Sequence, residues 1–163
     1  MPSAALQHVA ASVLDTAFQA VGPPDGPPAL LMHGFPYDIH AYVEVATVLA
    51  ARGCRVVVPS LRDFGPTRFV RDDMRRPGEQ ATLGRDHLLV ALRIERAVLA
   101  GHDWRSRAAC VVAALWPARC AGLLGFNSYN IQDIAQAMTP DTPRNELSLW
   151  YRYYSTASAA GAA

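Results

Sequence analysis

The sequence predicts an α/β fold: an open, mainly parallel sheet with right-handed crossovers and helices on both faces. Short, continuous apolar runs recur at Ala29–Met32, Cys54–Val58, Ala97–Ala100 and Ala121–Phe126. Segments with helical spacing of apolar residues separate them, and Gly, Pro and Asp cluster at the joints. Runs that are apolar on both sides suit parallel strands sandwiched between helix layers, and strict alternation of strand and helix is the pattern of such sheets.

Each element has its own warrant. Residues 1–12 read as an N-terminal extension, and 13–20 (VLDTAFQA) as a strand closed by the Gly22–Pro28 cluster, which is incompatible with a helix or a central strand. Ala29–Met32 is a buried strand running into His33-Gly34-Phe35-Pro36. Tyr42–Arg52 follows with Val45, Val48 and Leu49 at helical spacing, and Gly53 is its C-terminal cap. Cys54–Val58 is the next strand, and a loop rich in Arg, Asp, Pro and Gly covers 59–78. Residues 79–94 read as a helix, Ala97–Ala100 as a strand, and Gly101-His102-Asp103-Trp104 as the turn at its end. Arg105–Trp116 is helical until Pro117 stops it, and Ala121–Phe126 is one more strand. The core therefore spans 13–128. Residues 129–154 start a lid, and the featureless 155–163 (STASAAGAA) form a disordered tail.

Composition narrows the function classes. At 163 residues, one self-sufficient domain is expected, with no need for disulfides or metal. Fifteen basic residues face fourteen acidic ones without any like-charge block, which argues against nucleic-acid and anionic-membrane surfaces. All fifteen are Arg, so a phosphate-binding loop lysine, a kinase lysine and a Schiff base are excluded. Asp63-Phe64-Gly65 is then a chance kinase-like string. Cys54, Cys110 and Cys120 lie in apolar runs without metal-ligand spacing and read as reduced, buried thiols. No leader or membrane-length apolar stretch is evident, so a cytoplasmic, soluble protein is expected, without metal or organic cofactor.

Two strand-end loops lie where open α/β sheets place their active groups, His33–Pro36 and Gly101–Trp104. A tight strand-to-helix turn, the nucleophile elbow, exposes one side chain in a strained backbone conformation at a helix N-terminus. An Asp there is kept ionised by the helix dipole and can attack carbon to form an ester. Asp103 is the candidate nucleophile, and the backbone N–H groups of Phe35 and Trp104 are the candidate oxyanion donors.

These strings resemble the α/β-hydrolase superfamily, specifically its epoxide hydrolase and haloalkane dehalogenase branch, over roughly residues 13–154. Gly101, Asp103 and Trp104 match the branch's G-x-D-W-G-G turn, and His33, Gly34, Phe35 and Pro36 match its oxyanion loop. Residues 55–68 (RVVVPSLRDFGPTR) resemble its strand followed by a P-x-L-R-G-x-G-x-[ST] loop. The resemblance implies an α/β-hydrolase-type sheet, a small-molecule substrate and an Asp ester intermediate. It also implies Tyr151, within Trp150–Tyr154, as the electrophile that polarises an epoxide oxygen, although a lone Tyr is more often a packing aromatic. Phe35 stands where dehalogenases usually carry a halide-binding donor, which favours epoxides.

The departures are specific. Arg105 and Asp63 stand where the family has Gly, and Asn127 ends the strand on which some relatives keep the catalytic acid. Arg105 is either a salt-bridged surface residue or a cation that reaches Asp103. The five histidines are His8, His33, His40, His87 and His102, so none follows Asp103, whereas the family order is nucleophile, acid, His. The base, the C-terminal strands and most of the lid are therefore expected to be missing. His33 reads as a residue that shapes the oxyanion loop, and His102 as a buried neighbour pointing the other way along its strand. The downstream acids Asp133, Asp141 and Glu146 read as solvated or capping groups. The alternatives are a non-catalytic hydrolase-like fragment or binding module, self-associating through an exposed sheet edge, and a metal-dependent phosphohydrolase built on His102-Asp103. The last lacks a supporting ligand cluster.

Overall fold

The computed structural model describes residues 5–60, 62, 65–71, 73, 87–128, 139–140 and 142–148. Within residues 1–131, which form one compact unit, seven strands among the described residues make one mixed sheet: β1 (Leu6–Ala11), β2 (Leu14–Val21), β3 (Pro28–Met32), β4 (Arg55–Pro59), β5 (Arg68–Phe69), β6 (Ala97–His102) and β7 (Cys120–Phe126). The order is β1-β2-β4-β3-β6-β7, with β5 pairing β2 off the main path. From β3 to β7 every pairing is parallel, while β1, β2 and β5 join antiparallel. The mainly parallel α/β sheet expected from the alternation of elements is present.

Two helix layers cover the sheet because the strands alternate. Leu30 and Met32 of β3, Val57 of β4 and Leu99 of β6 face one way, into a core completed by Leu89 of α2 (His87–Ala91) and by Ala109 and Val112 of α3 (Trp104–Leu115). Leu31, Val56, Val58 and Ala100 face the other way, against Ile39 and against Ala46 of α1 (Val43–Ala51). Period-two side-chain alternation thus fills both interfaces from the same strands.

Residues 6–11, expected to belong to an N-terminal extension, form β1 instead. Its residues are mostly exposed, and it turns into β2 through Ser12-Val13, with Ala11 opposite Leu14 and Ser12 at φ 57°. The loop after β4 is tied down rather than free. The Thr67 hydroxyl accepts from the Ala17 N–H (3.0 Å) and donates to the Ser60 carbonyl (2.7 Å), which seats the short β5 against β2. Arg62 stacks over the Phe69 ring, 5.1 Å from its centroid, while Asp63 lies outside the described residues.

The C-terminal ends of α1 and α2 close by the same local rule. Gly53 takes φ 85°, its N–H donates to the Ala50 carbonyl, and the Cys54 N–H donates to that of Leu49. This pair of bonds closes a helix in the Schellman motif. The described part of the helix expected over 79–94 is α2, and it ends at Ala91, three residues short. Arg93 takes φ 54° and closes it with the same pair of bonds, Arg93 to Val90 and Ile94 to Leu89. A non-Gly residue in that place gives no sequence signal for a stop.

All three cysteines are free; Cys110 is buried as expected, whereas Cys54 and Cys120 are only half-buried. Burial pushes the Cys110 thiol pKa up. Among the described residues, no helix is long and apolar enough to cross a membrane.

In the second unit, residues 132–163, the described part is a helical turn over 143–148. The Thr142 carbonyl accepts from the Glu146 N–H, and its hydroxyl from the Asn145 N–H. The expected lid residue Tyr151, with Asp133, Asp141 and the 155–163 tail, lies outside the described residues.

Candidate active site

From β3 the chain crosses to β4 on one side, and β6 lies on the other. The carboxyl ends of β3 and β6 therefore flank a reversal of strand order, the crevice where open α/β sheets bind ligands. Both loops singled out in the sequence begin there.

The turn after β6 is unusually tight. Asp103 sits at φ 52°, ψ −123°, between the last residue of β6 and the first of α3. A residue with a β-carbon adopts positive φ at a cost, and such strain clusters at functional sites. Asp103 occupies the cap position of α3, yet its side chain makes no capping hydrogen bond. A purely structural role as helix cap is therefore not in use. Its backbone N–H donates to the Phe126 carbonyl of β7 at 3.0 Å, and its carbonyl accepts from the Ser106 N–H at 3.1 Å. Trp104 opens α3, so its N–H is among the four that lack a partner inside the helix.

The neighbouring glycines are required by crowding. A β-carbon on Gly101 would lie 2.6 Å from the Arg105 carbonyl oxygen and from the Ser106 backbone. One on Gly34 would lie 2.6 Å from the Asp103 β-carbon and from the His102 carbonyl oxygen. The structure thus brings the two loops into direct contact, with Gly34 against Asp103. It also shows that α3 approaches β6 closely with Arg in place of the family's Gly at 105, because the approach runs over Gly101.

Around this contact the side chains are unequal. His33 is almost fully buried, and its Nδ1 donates to the Gly34 carbonyl at 3.3 Å. Burial holds its pKa below the usual histidine value, helped by the positive charge of Arg105 and opposed by the hydrogen bond to Gly34. Arg105 itself is buried, so the surface reading is set aside. Arg107 is also buried and stacks over Trp104, 4.9 Å from the ring centroid. Phe35 is 66% exposed and joined to Pro36 by a cis peptide bond.

Beside the loops lies an open cleft of about 370 Å³ lined by His33, Gly34, Tyr37, Ala41, Tyr42, His102 and Phe126. His102 is not a buried neighbour: it is half-buried, lines the cleft and meets Tyr37 edge-on, with ring centroids 5.7 Å apart. The Tyr42 hydroxyl donates to the Met32 carbonyl at 3.1 Å, and burial raises its pKa. Tyr37, Tyr42 and Phe126 were not singled out in the sequence, where aromatics beside a motif look like ordinary core. Among the described residues no group of three or more His, Cys, Asp or Glu could hold a metal.

No protein-family profile matches the chain. A solved structure from Klebsiella pneumoniae, described as a candidate epoxide hydrolase, is 43% identical and superimposes with a TM-score of 0.88 over 91% of this chain and 50% of its own. The chain belongs to the epoxide hydrolase-like branch of the α/β-hydrolase superfamily. Within this branch, epoxide hydrolase B of Mycobacterium tuberculosis is 33% identical over 110 residues, which cover 66% of this chain and 31% of that protein. A haloalkane dehalogenase of Mycobacterium marinum is 37% identical over 97 residues, 57% of this chain and 31% of that one. The chain thus spans about half of the solved α/β-hydrolase and about a third of these curated relatives.

Proposed function

We propose that the site performs the first half of epoxide hydrolysis, with Asp103 as the nucleophile. A carboxylate oxygen of Asp103 forms a bond to an epoxide carbon as the ring C–O bond breaks. The ring oxygen leaves as an alkoxide and takes up a proton, for which the family resemblance implies Tyr151 as donor. In the second half, water attacks the ester carbonyl, and the N–H groups of Phe35 and Trp104 receive the oxyanion. That step needs a base, and none of the five histidines follows Asp103 in the sequence. Formation of the ester itself needs no base, so the ester is the species to detect on this chain.

The observation that carries this reading is the backbone of Asp103, at φ 52° and ψ −123°, at the carboxyl end of β6 with its side chain not spent on capping α3. The exposed Phe35, which offers no halide-binding side chain, favours epoxides over alkyl halides. Incubation with 1,2-epoxybutane followed by mass spectrometry of peptides tests it. A single stable adduct on the peptide carrying Asp103, lost in Asp103→Asn, is expected. An unmodified Asp103 with no diol released, or diol release that persists in Asp103→Asn, would overturn the nucleophile assignment.

A second reading, a module that docks another polypeptide, is favoured by β7. Among the described residues it is the last strand of the sheet, and it exposes Leu123, Leu124 and Phe126. An apolar edge strand of this kind recruits partners or copies of itself.

A further inference from the structure

We infer that the cleft beside Asp103 selects uncharged aryl compounds, through the edge-on pair of Tyr37 and His102. The inference rests on the reading of this cleft as the substrate site and names the class of group the site receives. Tyr37 is 55% exposed and Phe126 51% exposed, so both present apolar area that a ligand can cover. The two rings of the Tyr37–His102 pair stand at 78° to each other, 5.7 Å apart. Perpendicular rings offer a new ring both an edge and a face. An aromatic ligand can match the quadrupoles of such rings, whereas a saturated ring of similar size gains only from covered area. Among the described residues the lining contains no Asp, Glu or Arg side chain, and its buried histidine, His33, is biased toward the neutral form. An anionic ligand would lose hydration without gaining a partner from this lining and would face the Asp103 carboxylate. The volume of about 370 Å³ lies within the range of small-molecule sites.

The test compares benzamide with cyclohexanecarboxamide, two neutral amides that differ only in the ring. Binding is measured at neutral pH by calorimetry or ligand-observed NMR on the wild-type chain, Tyr37→Leu and Tyr37→Phe. Benzamide is expected to bind about 2- to 10-fold more tightly, with near-parity in Tyr37→Leu and the preference kept in Tyr37→Phe. Because Tyr37 is more than half exposed, both variants are expected to keep the fold, which circular dichroism checks. Equal affinities in the wild type, a preference that survives in Tyr37→Leu, or no binding of either amide would overturn the inference. The adduct with 1,2-epoxybutane contains no ring, so failure of the nucleophile assignment is read separately from failure of aryl selection.

Discussion

Gly34 and Gly101 leave the room in which the turn at Asp103 packs against the β3 loop and α3, and this makes both glycines sensitive positions. Gly101→Ala places a methyl against the backbone of α3, and overpacking of that kind costs about 1–3 kcal/mol. A lower urea midpoint with an unchanged slope is the expected result. His33 gives a pH prediction. Its folded pKa lies below the ordinary value of 6.5, so below that value the unfolded chain binds more protons than the folded one. Its contribution to stability is therefore complete above about pH 6.5 and falls as the pH drops toward the folded pKa. Urea unfolding at pH 7.5 and 5.5 should show the loss in the wild type, and His33→Gln should lack this part of it. The sequence made both loops legible because their residue order has a mechanical meaning. It hid the cleft wall, since nothing in the spelling of Tyr37, Tyr42 or Phe126 separates a site aromatic from a core one.

Secondary elements were legible where apolar periodicity and punctuation agreed. Val56–Val58, the Gly53 stop and the Pro117 stop all announce themselves. β1 did not, because LQHVAA packs against its sheet neighbour through backbone pairing while most of its side chains remain exposed. The short β5 rests on Thr67 bridging Ser60 and Ala17, a contact fifty residues apart in sequence on one side. α2 ends earlier than its apolar periodicity predicts because its stop is an arginine. Arg93→Gly should relieve the left-handed strain at φ 54° and raise stability by about 1 kcal/mol. A higher thermal midpoint checks it, and an unchanged or lower one would mean that the Arg93 side chain contributes more than its backbone costs.

At the scale of the whole molecule, the two buried layers share their strands, so truncation at the sheet centre is felt widely. Leu99 is 1% exposed, and Leu99→Ala should cost about 2–5 kcal/mol in denaturant unfolding. The other global feature is the apolar edge at β7. Size-exclusion with light scattering should show mass rising with concentration, and Leu124→Lys should suppress the rise, because an edge charge opposes strand addition. The fold class was legible at this scale because alternating elements leave few topologies, whereas the antiparallel start of the sheet left no such trace. The bond from the Asp103 amide to the Phe126 carbonyl joins these scales. That amide can exchange its hydrogen with solvent only when β7 parts from the turn, so its deuterium uptake clocks the opening of the sheet edge at the reactive residue itself.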